Sequence, residues 1–462
     1  MSPDCKTASA GRPRPWAQAA GAALALLLAA STQAQAPAQD ERATEPEVPA
    51  LRLSGFATLG LTHNDNATAG AITSFSQTRP VQRGWSANLD SVLGLQLEWQ
   101  ARPGTSLLLQ GVARAGEDLR PQLRSAYVRQ ELAGGLSVRL GRLRSPLYFD
   151  SDIAEIGYAN LAVRPPLPLY GMVNSVASLD GGDLQWQRNV GNASLRLQAY
   201  AGGYDYTHRF NNLDPVLSAD ARLRQVRGLA LSANLPDLVL RFSRTEIGQY
   251  TMRSAQVDQI NGALTQMAAA LTQVAGNPLL PSTLAAGLLS KAQALPALSN
   301  PFDNRPIYTS LGVDANLQDW RVMAELTEMN SRAALVGKYR GQSLTVARSF
   351  DVFTPYVVLA RQRRHGPRLD TSALAATGLD TQLDAGLTQL RAGLDLAQQF
   401  ADLSTRSLSL GLRWDWRENM ALKLQLDELR TPSSNTPGAL AVRSLPFDNK
   451  VRLFSVTLDL VF

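Results

Sequence analysis

The sequence predicts an all-β protein, a transmembrane antiparallel β-barrel of about 16 strands. Three observations predict this fold class. Apolar and polar residues alternate with a period of two along most of the chain. Short and long connections alternate between these segments. The chain ends on an aromatic residue, Phe462, inside such a segment. Because a barrel closes on itself, a terminal strand of this kind leaves no open sheet edge.

The first 36 residues predict a signal peptide. Three basic residues precede an apolar run over 17–30, and Ala34-Gln35-Ala36 has the small-x-small pattern of a cleavage site. The run is shorter than the roughly 20 residues that a membrane anchor needs, so we expect cleavage after Ala36. Cys5, the only cysteine, would leave with the peptide. The mature chain would then have no disulfide and no thiolate nucleophile or metal ligand.

Charge and hydropathy narrow the class of the mature protein. The formal net charge of the whole chain is +6, and residues 1–36 carry three bases and one acid. The remaining excess of bases is too mild to indicate a nucleic-acid partner. No later segment approaches about 18 consecutive apolar residues, so we expect no helical membrane span. A soluble periplasmic protein and an outer-membrane barrel remain.

The barrel pattern begins after a short polar segment. Residues 37–50 are polar, acidic and proline-containing, which is typical of a flexible periplasmic leader. From Leu51 to Thr62 the apolar residues occupy every second position, as in a strand with one apolar face. The same pattern recurs to the end of the chain. We therefore expect residues 51–462 to form the barrel.

The connections alternate in length, as a chain that is threaded repeatedly through a membrane requires. Short turns are expected at 102–104, 133–135, 189–192, 236–237, 318–319, 350–354 and 418–419. About seven short turns and eight longer loops place both termini on the periplasmic side. A soluble β-sandwich would also alternate in hydropathy, but it gives no reason for this rhythm.

Tryptophans mark one end of the expected barrel. Five of them lie beside short turns: Trp99, Trp186, Trp320, Trp414 and Trp416. Aromatic side chains in such positions form a belt where a barrel meets the lipid headgroups. The tryptophans therefore predict the periplasmic rim.

The last segment has an apolar face made of Phe454, Val456, Leu458, Leu460 and Phe462. In this ending, and in the long loop that follows Gly141-Arg142 after the fifth strand, the chain resembles Gram-negative outer-membrane porins of the 16-stranded general type. The resemblance implies that Phe462, Leu460 and Leu458 are a signal for the barrel-insertion machinery, and that the third loop narrows the pore. It also implies a homotrimer in the lipid of the Gram-negative cell outer membrane, passing small hydrophilic solutes or ions by passive diffusion.

Two long loops are expected to contain amphipathic helices, within the insertions 249–306 and 365–404. In the first, apolar residues recur at intervals of three and four: Val257, Ile260, Leu264, Met267, Leu271 and Val274. The second does much the same with Leu379, Leu383, Leu387, Leu390 and Leu394. Such helices either pack on each other and cap the barrel, or act as a lid, a plug or a contact between subunits.

The strand phase assigns charged side chains to the lumen. If the leucines and tryptophans face lipid, their neighbours in sequence face inward. The residues assigned to the pore wall are Arg139, Arg196, Arg241, Arg321, Arg361, Arg413, Lys423, Glu98 and Asp427. These charges are either merely solvated, or they concentrate anions and bias the conductance toward them.

The third loop supplies the candidate constriction. Its charged residues are Asp150, Asp152, Glu155 and Arg164, and two prolines follow. Prolines hold a loop in shape, and an acidic loop opposite basic strands would create a transverse field. The alternative is an exposed loop with solvated charges. The acidic spacing lacks the other ligands and the glycine of a calcium loop, so we expect no metal and no cofactor.

A catalytic function finds little support in the sequence. The mature chain has only three histidines, His63, His208 and His365, and none lies beside a G-x-S-x-G motif. No phosphate loop, H-E-x-x-H or dinucleotide motif occurs, so we assign no catalytic residue and expect no enzyme. The alternatives to a porin are a closed or plugged outer-membrane barrel acting as an adhesin or structural protein, and an outer-membrane hydrolase.

Overall fold

The computed structural model describes residues 51–210 and 217–462. The expected signal peptide, 1–36, and leader, 37–50, lie outside the described residues. The barrel strands of the first half are β1 (Leu51–Asn64), β2 (Val92–Arg102), β3 (Thr105–Arg114), β4 (Gln122–Glu131), β5 (Leu136–Arg144), β6 (Ser178–Val190), β7 (Ala193–Phe210) and β8 (Leu217–Leu235). Those of the second half are β9 (Leu238–Arg253), β10 (Ile307–Leu317), β11 (Trp320–Asn330), β12 (Tyr339–Arg348), β13 (Phe353–Arg364), β14 (Thr405–Arg417), β15 (Met420–Arg430) and β16 (Lys450–Val461).

The strands form one closed antiparallel sheet. Each strand pairs with the next one in the chain, and β16 pairs back with β1. In that closing pair Ala57 lies opposite Leu460 and Leu59 lies opposite Leu458. Closure satisfies the backbone donors and acceptors of both terminal strands, which no open sheet could do in hydrocarbon. The expected 16-stranded barrel is therefore confirmed.

The outer face of the barrel is apolar. Its exposed side chains include Leu95, Leu140, Leu184, Leu240, Leu311, Leu326, Leu359, Leu410 and Leu426. A continuous apolar surface of this extent would be unfavourable in water but is required in the hydrocarbon layer. Beside the short turns, Trp99, Trp320 and Trp416 are 47%, 46% and 45% exposed. Among the described residues, no helix has both the length and the apolarity of a bilayer span.

Helices occupy the loops at the other end of the barrel. A short helix, α1 (Leu167–Val173), belongs to the third loop. The longer helices are α2 (Ala255–Ala275), α3 (Ser282–Ala294) and α4 (Thr381–Phe400). The side chain of Ser254 caps α2 by accepting from the Val257 N–H, and Asp380 caps α4 by accepting from the Leu383 N–H.

The three longer helices share one apolar core. Its buried members include Leu264 and Leu271 of α2, Leu288 of α3, and Leu387 and Leu394 of α4. The helical insertions expected from the sequence are thus present, and their stripes face one another. Leu379 does not belong to this core, because α4 begins at Thr381 and Leu379 precedes the helix with 41% of its surface exposed.

Candidate pore constriction

The third loop, residues 145–177, lies inside the barrel. Ser243 of β9 donates its hydroxyl to the Leu147 carbonyl at 2.6 Å, and Lys423 of β15 donates to the Gly157 carbonyl at 2.7 Å. Arg114 of β3 pairs with Glu155 of the loop at 3.0 Å. These strands lie on different sides of the ring, so a loop that contacts all of them occupies the lumen. The same contacts define which strand faces point inward.

Arg164 anchors the loop to two distant parts of the wall. Its guanidinium pairs with Asp90, ahead of β2, at 2.6 Å and with Asp427 of β15 at 2.5 Å. It also donates to the Ser455 hydroxyl of β16 at 2.5 Å. Burial favours the neutral form of Arg164, but the two carboxylates outweigh this effect and raise its pKa. All three charged side chains are almost fully buried, so none of them lines an open channel.

Glu155 is the second anchor. Its carboxylate lies 2.6 Å from Arg144, 3.1 Å from Arg124 and 3.0 Å from Arg114. Burial raises the pKa of Glu155, but the charges of the three arginines outweigh burial and hold that pKa well below its usual value. Glu155 and Arg164 were expected at the constriction. The structure places both in the loop that enters the lumen, but as buried attachments of it.

Lys423 is sealed beneath the same loop. Its ammonium pairs with Asp459 of β16 at 3.0 Å and donates to the Asn160 carbonyl at 2.6 Å. The Thr58 hydroxyl donates to the same Asp459 carboxylate at 2.6 Å. Lys423 and Asp459 are both fully buried. Lys423 therefore faces inward as expected, but the loop covers it.

Asp152 adjoins the open part of the lumen. Its carboxylate lies 3.0 Å from Arg241 of β9, yet 54% of its side chain is exposed although the loop is inside the barrel. Burial raises the pKa of Asp152, and the nearby charge of Arg241 outweighs this and lowers it. A carboxylate that is enclosed by the wall and still exposed indicates water-accessible space beside it.

Asp150 sits deeper in the same loop. Burial and, next, the negative charge of Glu325 raise the pKa of Asp150 to about 7. Glu325 of β11 is itself held by the loop, because it accepts from the Phe149 N–H at 3.0 Å and from the Tyr170 hydroxyl. Near neutral pH this acid is therefore only partly ionised.

Most inward arginines have a carboxylate partner on the wall. Arg139 pairs with Asp183 at 2.5 Å, Arg321 with Asp314 at 2.7 Å, and Arg413 with Asp415 at 2.7 Å. These pairs compensate much of the positive charge expected from the sequence. Asp183 and Asp314 were not identified as site residues from the sequence. Their inward phase was readable, but strand register decides which arginine each one meets.

Arg196 is the exception. It shares the inner face of β7 with the buried Gln198 and Tyr200, it is exposed, and it has no ion-pair partner among the described residues. Its charge is one of the influences that lower the pKa of Asp152. Arg196 is thus an inward arginine without a carboxylate partner in the described part of the chain.

Two remaining wall assignments have different outcomes. Glu98 lies on the inner face of β2, directly across from Arg52 in the register of β1 and β2. Arg361 was assigned to the lumen, and this is wrong. Buried Ala360 and Gln362 occupy the inner face of β13, whereas Arg361 shares the outer face with Leu359, which is 48% exposed. Residues two apart in a strand share a face, so Arg361 points outward, as Leu359 does.

Two of the C-terminal residues expected to signal assembly, Leu458 and Leu460, lie on the outer face of β16. Leu458 and Leu460 are partly exposed there, and Phe462 is 45% exposed. Their role in insertion stays a prediction.

The three described histidines lie in different parts of the chain, His63 in β1, His208 in β7 and His365 directly after β13. The His63 ring packs against Trp85, with centroids 5.1 Å apart, and His365 lies 3.9 Å from Glu328. Within residues 51–210 and 217–462 no three metal-ligating side chains cluster.

Comparison with known proteins gives structural matches only. No protein-family profile and no curated sequence matches the chain. OmpF of Salmonella typhi, solved in complex with daunomycin, is 11% identical with a TM-score of 0.49, covering 89% of this chain and 97% of that one. DcaP, an outer membrane channel of Acinetobacter baumannii, is 9% identical with a TM-score of 0.46, and the match covers 89% of this chain and 97% of that one. A variant of the Rh. blastica porin is 11% identical with a TM-score of 0.43, and the match covers 89% of this chain and 100% of that one. The chain is similar to these outer-membrane proteins, and its own closed 16-stranded sheet shows the barrel fold.

Proposed function

We propose that the protein is an outer-membrane porin, a water-filled channel for passive diffusion of small hydrophilic solutes or ions. The observation that carries the proposal is the 54% exposure of Asp152 inside the barrel, beside Arg241. A sealed interior would bury such a carboxylate, as it buries Glu155. The third loop, attached through Arg164 and Glu155, would set the width of the remaining passage.

We further propose that the channel prefers anions and that Arg196 sets this preference. The other inward arginines near the loop are paired with carboxylates at 2.5 to 3.1 Å, so their fields largely cancel at distance. An unpaired charge in a tube with low-dielectric walls acts strongly on passing ions. The preference should be moderate, because one residue carries it.

The test is the zero-current potential of single channels in a planar bilayer under a salt gradient. Arg196→Glu should move the potential toward cation selectivity without changing the unit conductance by more than about twofold. The matched control is Arg188→Glu, an exposed arginine on the outer face of the same hairpin. Cation preference in the wild type, or an equal shift in both variants, would contradict the role of Arg196.

The same recording separates the porin from its alternatives. A silent bilayer with a folded, heat-resistant barrel would favour a closed or plugged barrel that serves as an adhesin or structural protein. Ester or peptide hydrolysis that survives purification of the folded form would favour a hydrolase. Stepwise openings that occur in threes would support the homotrimer that we propose from the resemblance to general porins.

A further inference from the structure

A second cavity lies at the loop end of the barrel, apart from the constriction. Its volume is about 320 Å³, and apolar side chains form most of its wall. Strands β7 and β9 contribute Tyr206, Phe210 and Tyr250, and the first and fifth long loops contribute Phe75 and Phe302. We call it the mouth cavity. An apolar cavity above a polar channel is not needed for diffusion of hydrophilic solutes.

The helices and the third loop enclose this cavity. Ile260 of α2 and Ala397 of α4 line it, and so does Met172 of α1, which belongs to the third loop. Elements that are far apart in the chain thus converge here. The cavity is therefore a feature of the assembled loops, and the helical insertions give it half of its enclosure.

Aromatic rings are concentrated around one polar side chain, His208. The His208 ring lies 4.7 Å from that of Phe75 and 4.6 Å from that of Phe210, and Phe210 lies 6.1 Å from Phe302, measured between centroids. Rings at such separations favour edge and offset contacts. A planar aromatic guest would extend this cluster with the same geometry.

His208 also presents an unpaired polar atom. Its buried Nδ1 has no hydrogen-bond partner within the described ranges of the chain. A buried polar atom without a partner is unfavourable, and most such atoms find one. The one guanidinium on the wall, that of Arg209, donates to the Ser76 carbonyl at 3.4 Å. Arg209 is the one charged side chain among the lining residues, so the rest of the wall favours a neutral guest, and one guest hydroxyl would give His208 Nδ1 the partner that it lacks.

We propose that the mouth cavity binds a neutral aromatic alcohol or phenol of about two rings. A cavity of about 150 Å³ is enough for benzene, and small-molecule sites begin at about 300 Å³. The rings of Phe75, Phe210 and Phe302 contact the guest, and the guest hydroxyl forms a hydrogen bond with Nδ1 of His208. This site is distinct from the constriction, and binding does not require an open channel.

The experiment is equilibrium binding of tritium-labelled 2-naphthol to the refolded full-length mature protein in detergent. Unlabelled 2-naphthol in excess separates saturable binding from partition into micelles. We expect one saturable site per chain. Ala397→Trp fills the cavity and should weaken binding at least tenfold, whereas Ala392→Trp, at an exposed position of the same helix outside the cavity, should leave it unchanged.

A second variant tests the hydrogen bond. His208→Phe keeps an aromatic ring at the site, so it should still bind naphthalene while losing the preference for 2-naphthol over naphthalene. A heat-resistant barrel on a gel checks that each variant is folded. Absence of saturable binding in the wild type overturns the proposal. An equal fall in affinity in both tryptophan variants also overturns it. Tighter binding of 2-naphthoate than of 2-naphthol would show that the site prefers an anion to a neutral guest.

Discussion

Arg164→Gln should release the third loop from the barrel wall. In the wild type the buried guanidinium joins Asp90 and Asp427. Without it, two carboxylates stay buried and unpaired as long as the loop is seated, but they become hydrated when the loop swings away. Breaking a buried ion pair costs about 3–5 kcal/mol. This cost raises the free energy of the seated loop alone, because the carboxylates are hydrated once the loop is released.

The released state can be detected by a thiol placed on the buried side of the loop itself. Val163 is 5% exposed, and the mature chain expected from the sequence has no cysteine, so Val163→Cys provides one buried reporter. If the reagent reacts only with the opened loop, the labelling rate follows the opening equilibrium. A change of 3–5 kcal/mol corresponds to a rate increase of roughly 100- to 4,000-fold. Remaining hydrogen bonds to the carboxylates, from Thr62 and Ser409, favour the lower end of that interval.

The control is a matched pair of the same chemistry on an exposed surface. Arg142 donates two hydrogen bonds to Asp180, at 2.6 and 2.8 Å, but the side chains are 33% and 48% exposed. Exposed pairs contribute about 0–1 kcal/mol, so Arg142→Gln should change labelling by less than about fivefold. If Arg164→Gln also stayed within fivefold of the wild type, the anchoring role would be refuted. Adding Asp427→Asn to Arg164→Gln should slow labelling again.

Three further outcomes follow from the structure. The pKa of Asp150 is raised from its ordinary value of 3.8 to about 7, so the folded protein holds a proton that the unfolded chain releases. Stability should therefore fall as pH rises between about 4 and 7, and Asp150→Asn should flatten this part of the curve of guanidinium midpoints against pH. Leu387→Ala removes a fully buried side chain and should lower the stability of the helical core by about 2–5 kcal/mol. Protease should then cleave the helices faster than in a variant of the half-buried Leu390, while the barrel stays heat-resistant. Cysteines at Asp258 and Asp237 should label from outside the cell and from the periplasm, respectively; labelling of the Asp258 position from the periplasm alone would reverse the topology.

The sequence by itself determined the barrel. Period-two hydropathy, the alternation of short turns with long loops and the tryptophans beside the turns are local signals, and each strand carries its own copy. Closure requires only that the first and last strands pair, which β1 and β16 do. Inward and outward phase was also readable, and it failed at Arg361 only because two residues of one face were assigned to opposite sides.

Only the tertiary structure decided what the inward charges do. Whether an arginine is free or compensated depends on strand register and on the path of the third loop, and neither is a local property of the sequence. Arg139 meets Asp183 because β5 and β6 pair in one register. Arg164 meets Asp427 because a loop 263 residues away in the chain folds into the lumen. The same convergence of distant loops creates the mouth cavity around His208. Tyr206, His208 and Phe210 alternate along β7 in the sequence, but only the fold brings Phe75 and Phe302 to them.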